Sequence, residues 1–301
     1  MKWLELSAEV DRGQAETVAE EALRPFGQGG VAIEEEVSWG QAEEPLFQGR
    51  ARVSVFLPVD DALGSKRLLL EEALSRAMFP RPVGLSAREI EEQQWETAWR
   101  KHYKVLKVGQ RIIVKPAWEE YRTEAGQIVI EIEPGMAFGT GQHATTRLCL
   151  VAIERLLRPG MAVLDLGTGS GILAIAAAKL GASPVLALDV SPTSVAVARA
   201  NIEANALSHL IAVEEGTLPQ SGGVWEASFD LVAANVIADV IEDLSPYLVR
   251  SLKANGFLIA GGIIRDRLDG IVGKLEEAGV RVIDTLAEGE WRAVIAQAKK
   301  G

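Results

Sequence analysis

Cysteine is nearly absent. The 301 residues contain a single one, Cys149, which excludes a disulfide framework and a cysteine metal cluster within the chain. Cys149 lies in the apolar run Leu148-Cys149-Leu150-Val151 and reads as a packing thiol. Histidine is scarce as well. His102, His143 and His209 stand far apart, without metal-ligand spacing, so no metal is expected. Long apolar runs are missing: none approaches the roughly 18 residues of a membrane span. The opening Met1-Lys2-Trp3 leads into Glu5, Glu9 and Asp11, not the apolar stretch of a secretory signal. A soluble cytoplasmic protein without membrane contact is expected. Positive charge is not in excess either. The formal net charge of -11 argues against broad binding of nucleic-acid phosphates. It suits a cationic substrate, or solubility alone.

What is present is ordinary globular material, 48% hydrophobic and 24% charged, in a chain long enough for two domains. From Trp3 to about Ile90 the pattern is strand, helix, strand, strand, helix, strand. Trp3-Leu4-Glu5-Leu6 alternates apolar and polar residues. Ala15 to Leu23 has helical spacing, ended by Gly27, Gly29 and Gly30. Val31-Ala32-Ile33 and Val53-Ser54-Val55-Phe56 are β-rich, Leu68 to Met78 is helical until Pro80 and Pro82, and Leu85 to Ile90 closes the set. The order βαββαβ predicts a small N-terminal α+β ferredoxin-like domain over residues 1–90. Residues 91–122 read as a helical linker, because Trp95, Trp99 and Tyr103 fall at i, i+4, i+8 on one helix face. They either pack the helix onto a domain or wall a ligand.

Residues 123–301 alternate strands and helices. Val163 to Leu166, Val185 to Leu188, Phe229 to Ala234 and Phe257 to Ala260 are short apolar strands. Ile172 to Leu180 is an alanine-rich helix with Gly181 suited to its end, and Ser191-Pro192 opens another helix with a cap and a first-position proline. This predicts an α/β fold, a Rossmann-like doubly wound parallel sheet. The last two strands, Val280 to Leu286 and Trp291 to Ala296, are joined too tightly for a crossover helix and must form a terminal antiparallel hairpin.

Four features point to chemistry. Asp165-Leu166-Gly167-Thr168-Gly169-Ser170-Gly171 leaves a strand and enters a helix, as a turn that lets a ligand touch the backbone. The spacing is GxGxG. The third glycine of a dinucleotide fingerprint would fall at Ile172, and the Lys-Ser/Thr of a phosphate loop is missing. An adenosine-bearing ligand without phosphate fits better, although such a turn also serves structure alone. Asp189 ends the next strand, 22 residues after Gly167, where an acid accepts ribose hydroxyls. It could instead cap a helix, but Ser191 already supplies that cap. Asn235 stands at the tip of a strand, either capping the following helix or accepting a hydrogen bond from an incoming amine. Residues 134–146, with Gly135, Gly139, Gly141 and Thr140, Thr145, Thr146, form a turn-rich segment whose length suits a binding loop.

These residues together resemble the ribosomal protein L-eleven methyltransferase family over essentially the whole chain. The glycine loop and Asp189 match a signature shared by many methyltransferases. The more specific marks are Glu133 to Gly141 with His143 and Thr145-Thr146, Asn235-Val236-Ile237-Ala238, the Trp95 to Tyr103 segment and Lys115-Pro116-Ala117-Trp118. The chain departs from the family pattern at Gln142 and Ala144, beside the histidine, and at Val236-Ile237. The resemblance implies S-adenosyl-L-methionine as cofactor, with Thr146, Gly167, Gly169, Asp189 and Asn235 around it. Asn235 is expected to orient the amine, with Phe138 shielding the site from water. The implied substrate is ribosomal protein L-eleven of the large subunit, methylated on lysine side chains and its N-terminus and gripped by the front domain, with no nucleic-acid binding required. Three other readings remain at this point: another amine methyltransferase, a nicotinamide-dependent oxidoreductase (against which Ile172 counts), and a non-enzymatic ribosome-binding protein.

Overall fold

The computed structural model describes residues 2–11, 18, 31–39, 45–59, 63–65, 67–69, 83–91, 103–133, 139–218 and 225–299. Its internal contacts divide the chain into two units, Met1–Tyr103 and Lys104–Gly301.

The first unit holds β1 (Lys2–Asp11), β2 (Val31–Trp39), β3 (Pro45–Pro58) and β4 (Val83–Glu91). They form one sheet in the order β2-β3-β1-β4, with every pairing antiparallel. That is the strand order of a ferredoxin-like sandwich. The alternation read from Trp3 onward has its cause here: Leu4, Leu6, Ala8 and Val10 of β1 join Ala51, Val53, Val55 and Leu57 of β3 in one core, because alternate residues share a face. Val18 and residues 63–65 and 67–69 are helical. The rest of the two expected helices lies outside the described residues, as do Trp95 and Trp99.

The second unit begins with β5 (Leu106–Val108), β6 (Ile112–Pro116) and β7 (Ile128–Ile132). They make a three-stranded sheet in that order, antiparallel between β5 and β6 and parallel between β6 and β7. This corrects the helical reading of residues 91–122 over its later part. Ile112-Ile113-Val114 is a β-branched run, all buried, and such a run favours a pleated surface over a helix.

Next come α1 (Ala144–Leu156), β8 (Val163–Leu166), α2 (Ile172–Lys179), β9 (Val185–Asp189), α3 (Pro192–Ala204), β10 (Ile211–Glu215), β11 (Phe229–Asn235), α4 (Ala238–Ser251), β12 (Leu252–Ile264), α5 (Leu268–Ala278), β13 (Val280–Glu288) and β14 (Trp291–Ala298). The seven strands run β10-β9-β8-β11-β12-β14-β13. The first five are parallel and β14 is antiparallel to both neighbours. Apolar residues of α1, α2 and α3 cover one face with the small sheet, and those of α4 and α5 cover the other. Both faces are therefore dry, which is why the central strands read as unbroken apolar runs.

The terminal hairpin forms as expected, but β14 inserts between β12 and β13. Its composition explains this. Ala293, Val294, Ile295 and Ala296 are all buried, which suits an interior strand. In β13, Arg281, Asp284, Thr285 and Ala287 are exposed, as an edge strand tolerates. Among the described residues no helix is long and apolar enough to cross a membrane.

Candidate active site

The parallel strands change direction of winding between β8 and β11, and a crevice opens beyond their carboxyl ends at such a point. Every expected site residue that is described gathers there. Gly167 and Gly169 follow β8, Asp189 ends β9, Asn235 ends β11, and Thr146 lies in the first turn of α1. Phe138 lies outside the described residues.

The loop after β8 takes its shape from backbone that only glycine adopts easily. Gly167, Gly169 and Gly171 have φ of 71°, 54° and 84°, in the left-handed region. Gly167 meets a second demand, since a Cβ there would lie 2.4 Å from Val236 Cγ1. The Val236 side chain thus sits directly against the loop, and a side chain on Gly167 would have to displace it.

Glycine freedom would leave the loop mobile without anchors, and three carboxylate and carbonyl groups supply them. Leu188 O accepts from the N–H groups of Gly167 and Thr168 at 2.8 and 2.9 Å. Asp189 Oδ2 accepts from Gly169 N at 2.9 Å. Asp165 Oδ2 accepts from Thr168 Oγ1 at 2.6 Å and from Ala174 N at 3.1 Å. Asp165 is buried, and its Oδ1 has no hydrogen-bond partner. Burial foremost, aided by the charge of Asp189, raises its pKa to about 6, against the opposing hydrogen bonds from Thr168 and Ala174.

Asp189 turns its other oxygen, Oδ1, to Ser191 N at 2.9 Å, while Ser191 caps α3 by accepting from Ser194 N. The acid therefore ties the glycine loop to the next strand-to-helix turn. A carboxylate has about four acceptor positions, and with two taken it still offers lone pairs to a pair of hydroxyls.

Asn235 does not cap the following helix. The N-cap of α4 is Ile237, and no side chain bonds it. The helix-capping reading of Asn235 is thereby excluded. Its Nδ2 donates to the buried Thr146 Oγ1 at 3.4 Å, and its Oδ1 is buried without a partner. A buried acceptor left empty costs about 1–3 kcal/mol, so the position favours a donor arriving from a ligand.

His143 caps α1, accepting from Thr145 N at 3.3 Å through Nδ1. Burial, then the Arg147 charge, lowers its pKa to about 4, so it is neutral at pH 7. Its ring meets Trp291 edge-on, with centroids 4.9 Å apart. A nitrogen engaged as a helix cap is poorly placed to act as a general base. Arg147 fixes the approach to α1 from the other side: its Nε donates to Glu288 at 3.0 and 3.2 Å, and its Nη1 donates to Gln142 O. Burial pushes the Cys149 thiol far up, so it stays protonated and inert.

Sequence reasoning passed over several residues here. Asn201, on α3, holds the glycine loop from behind. Gly261 of β12 pairs with Asn235, and a Cβ on it would fall 2.4 Å from Cys149 Sγ and 3.0 Å from Asn235 Oδ1. The available signal was the Gly261-Gly262 pair inside an apolar strand, a mark of close backbone approach.

The loop sequence Asp165 to Gly171 carries no lysine for a phosphate, and the orphaned Asn235 Oδ1 and the spare lone pairs of Asp189 are both acceptors. The residues present fit a nucleoside carrying hydroxyls and a cationic end better than a phosphorylated one. Among the described residues no group of acids, histidines or cysteine is arranged to hold a metal.

Comparison with known proteins points the same way. The family model described as ribosomal protein L11 methyltransferase (PrmA) matches residues 2–299. A ribosomal protein L11 methyltransferase of Chloroflexus aurantiacus is 43% identical, with 97% of each chain covered. One from Pelotomaculum thermopropionicum is 41% identical over 99% of this chain and 100% of its own. Among solved structures, a ribosomal protein L11 methylase from Lactobacillus delbrueckii subsp. bulgaricus superposes with a TM-score of 0.60 at 36% identity. It covers 65% of this chain and 100% of that one.

Proposed function

The chain belongs to the ribosomal protein L11 methyltransferase family, and on that footing we propose that it transfers methyl groups from S-adenosyl-L-methionine to amino groups of ribosomal protein L11, on lysine side chains and at the N-terminus, in the cytoplasm. The observation that carries this reading is the pairing of Asp189 with the Gly169 N–H, one strand from an Asn235 whose carbonyl oxygen has no partner.

Asp189 accepts the ribose hydroxyls through its remaining lone pairs. The backbone at Gly167 and Gly169 lies against the nucleoside. Thr146 and Asn235 bound the other end of the crevice. When bound, the cofactor supplies a methyl group already activated by a sulfonium charge. The task left to the protein is to hold a neutral amine in line with that methyl and keep water out. Asn235 Oδ1 accepts a hydrogen bond from the amine N–H and so fixes the direction of the nitrogen lone pair, with Phe138 as the shield. A free lysine has a pKa of about 10.4. Removal from water beside a positive charge lowers it, so the ammonium gives its proton to solvent water as it enters the site and no dedicated side-chain base is required, consistent with the capping role of His143.

The test is mass spectrometry of purified ribosomal protein L11 after incubation with the enzyme and labelled S-adenosyl-L-methionine. Labelled methyl groups on lysine and N-terminal amines are expected. An unlabelled product, with the cofactor bound but L11 untouched, would assign the site to another amine substrate.

A further inference from the structure

Two asparagines one turn apart, Asn201 in the last turn of α3 and Asn205 at its C-cap, do different work. Asn205 behaves as a substitute strand along the outer edge of β7: its Oδ1 accepts from Glu131 N at 3.0 Å and its Nδ2 donates to Glu131 O at 2.6 Å. Asn201 makes one bond of that kind, its Oδ1 accepting from Glu133 N at 3.0 Å. Its Nδ2 turns the other way and donates to Ser170 O at 2.9 Å. Ser170 lies between Gly169 and Gly171 in the glycine loop, and its Oγ donates to Gly139 O at 2.5 Å. Both Asn201 and Ser170 are buried.

A loop with three left-handed glycines has no intrinsic preference for one shape. It is pinned from the β9 side at Gly169 by Asp189, and from the α3 side at Ser170 by Asn201. Without the Asn201 amide the Ser170 carbonyl loses its donor, and the loop loses its rear anchor. We propose that Asn201 is a positioning residue for the cofactor. By holding Ser170 O it sets the glycine loop in the shape that receives the nucleoside, while the Asn205 side chain bonds Glu131 of β7 and the Asn201 backbone carbonyl at the end of α3. The inference rests on the function proposed above.

The experiment is calorimetric titration of the full chain with S-adenosyl-L-methionine, for the unaltered protein, Asn201→Ala and Asn205→Ala, with thermal melts alongside. Both substitutions remove side-chain amide bonds, at the buried Asn201 and the half-buried Asn205, and both should lower Tm. Only Asn201→Ala should weaken binding, by about tenfold, the size expected for one lost anchor. It should raise the KM for the cofactor while leaving kcat at saturation within about twofold, and Asn205→Ala should leave affinity within about twofold. If Asn201→Ala does not fold, Asn201→Asp and Asn205→Asp serve instead, since a carboxylate keeps the bonds from Glu133 N and Glu131 N but, at position 201, cannot donate to Ser170 O. Equal weakening by both, or no weakening by the Asn201 variant, overturns the inference and leaves the proposed function standing. Failure of the unaltered chain to bind S-adenosyl-L-methionine removes both.

Discussion

Asp189 Oδ2 receives the Gly169 N–H at 2.9 Å, across the gap between the ends of two neighbouring strands. One carboxylate thereby shapes the loop and stands at its mouth. Asp189→Asn keeps the size but loses one of two oxygens that accept from backbone, at Gly169 or at Ser191. Affinity for S-adenosyl-L-methionine should fall by about 10- to 100-fold, one to two steps of 1.4 kcal/mol. Calorimetry showing a change under twofold would remove Asp189 from the cofactor site.

Asn235 should divide binding from turnover. Asn235→Ala removes the acceptor proposed to orient the amine, and kcat on ribosomal protein L11 should drop by about 10- to 100-fold, the range for lost alignment. Cofactor affinity should change less. Unchanged turnover would end the orienting role.

Gly167 is held by geometry on two counts. Its φ of 71° disfavours any side chain, and a Cβ would meet Val236 Cγ1 at 2.4 Å. Gly167→Ala should lower stability by about 1–3 kcal/mol and displace the Val236 side chain beside the cofactor loop. Denaturant unfolding together with the cofactor titration reads both effects, and a variant matching the parent in both contradicts the close approach.

Asp165 makes a pH-dependent contribution of unusual sign. Its folded pKa of about 6 lies above the ordinary 3.8, so between those values the folded chain carries the extra proton. Its contribution to stability is present below about pH 4 and is lost as pH rises through 6. Asp165→Asn removes that dependence. Relative to the parent, the variant should gain roughly 1–3 kcal/mol on going from pH 4.5 to pH 7.5. A difference between the two proteins that does not vary with pH would show that the buried carboxyl is not titrating there.

His143 acts in the same window with the opposite sign. Its folded pKa of about 4 lies below the ordinary 6.5, so the unfolded chain takes the proton first. The contribution is complete above pH 6.5 and lost as pH falls toward 4, when Nδ1 becomes a donor and can no longer cap α1. His143→Asn keeps an acceptor at the cap without the titration, and its melts should show a shallower acid decline than the parent's. His143→Ala should cost about 1 kcal/mol at pH 7.

Much of the crevice at the strand ends was readable from the chain. Asp165 through Gly171 and Asp189 are local signals, since a turn needing left-handed backbone selects glycine and a strand-end acid follows at fixed distance. Asn235 was readable as a strand tip but not as free of the next helix, because capping depends on where that helix starts. The small sheet β5–β7 and strand β10 were missed. Val213 of β10 is only half-buried and its remaining residues after Ile211 are mostly exposed, so the apolar pattern is weak. The β5 and β6 segment followed an aromatic helical spacing that drew the helix reading of residues 91–122 too far.

The order of apolar and polar residues by itself determined two units, a parallel sheet dry on both faces, a closing hairpin and a glycine loop beside an acid, because each depends on residues near one another in sequence. Only the tertiary structure decided that β14 inserts next to β12, that Asn201 reaches Ser170 O from 31 residues away, and that Gly261 lies against Asn235 and Cys149. Those contacts join distant segments, and their partners are fixed by which surfaces meet once the sheet has formed.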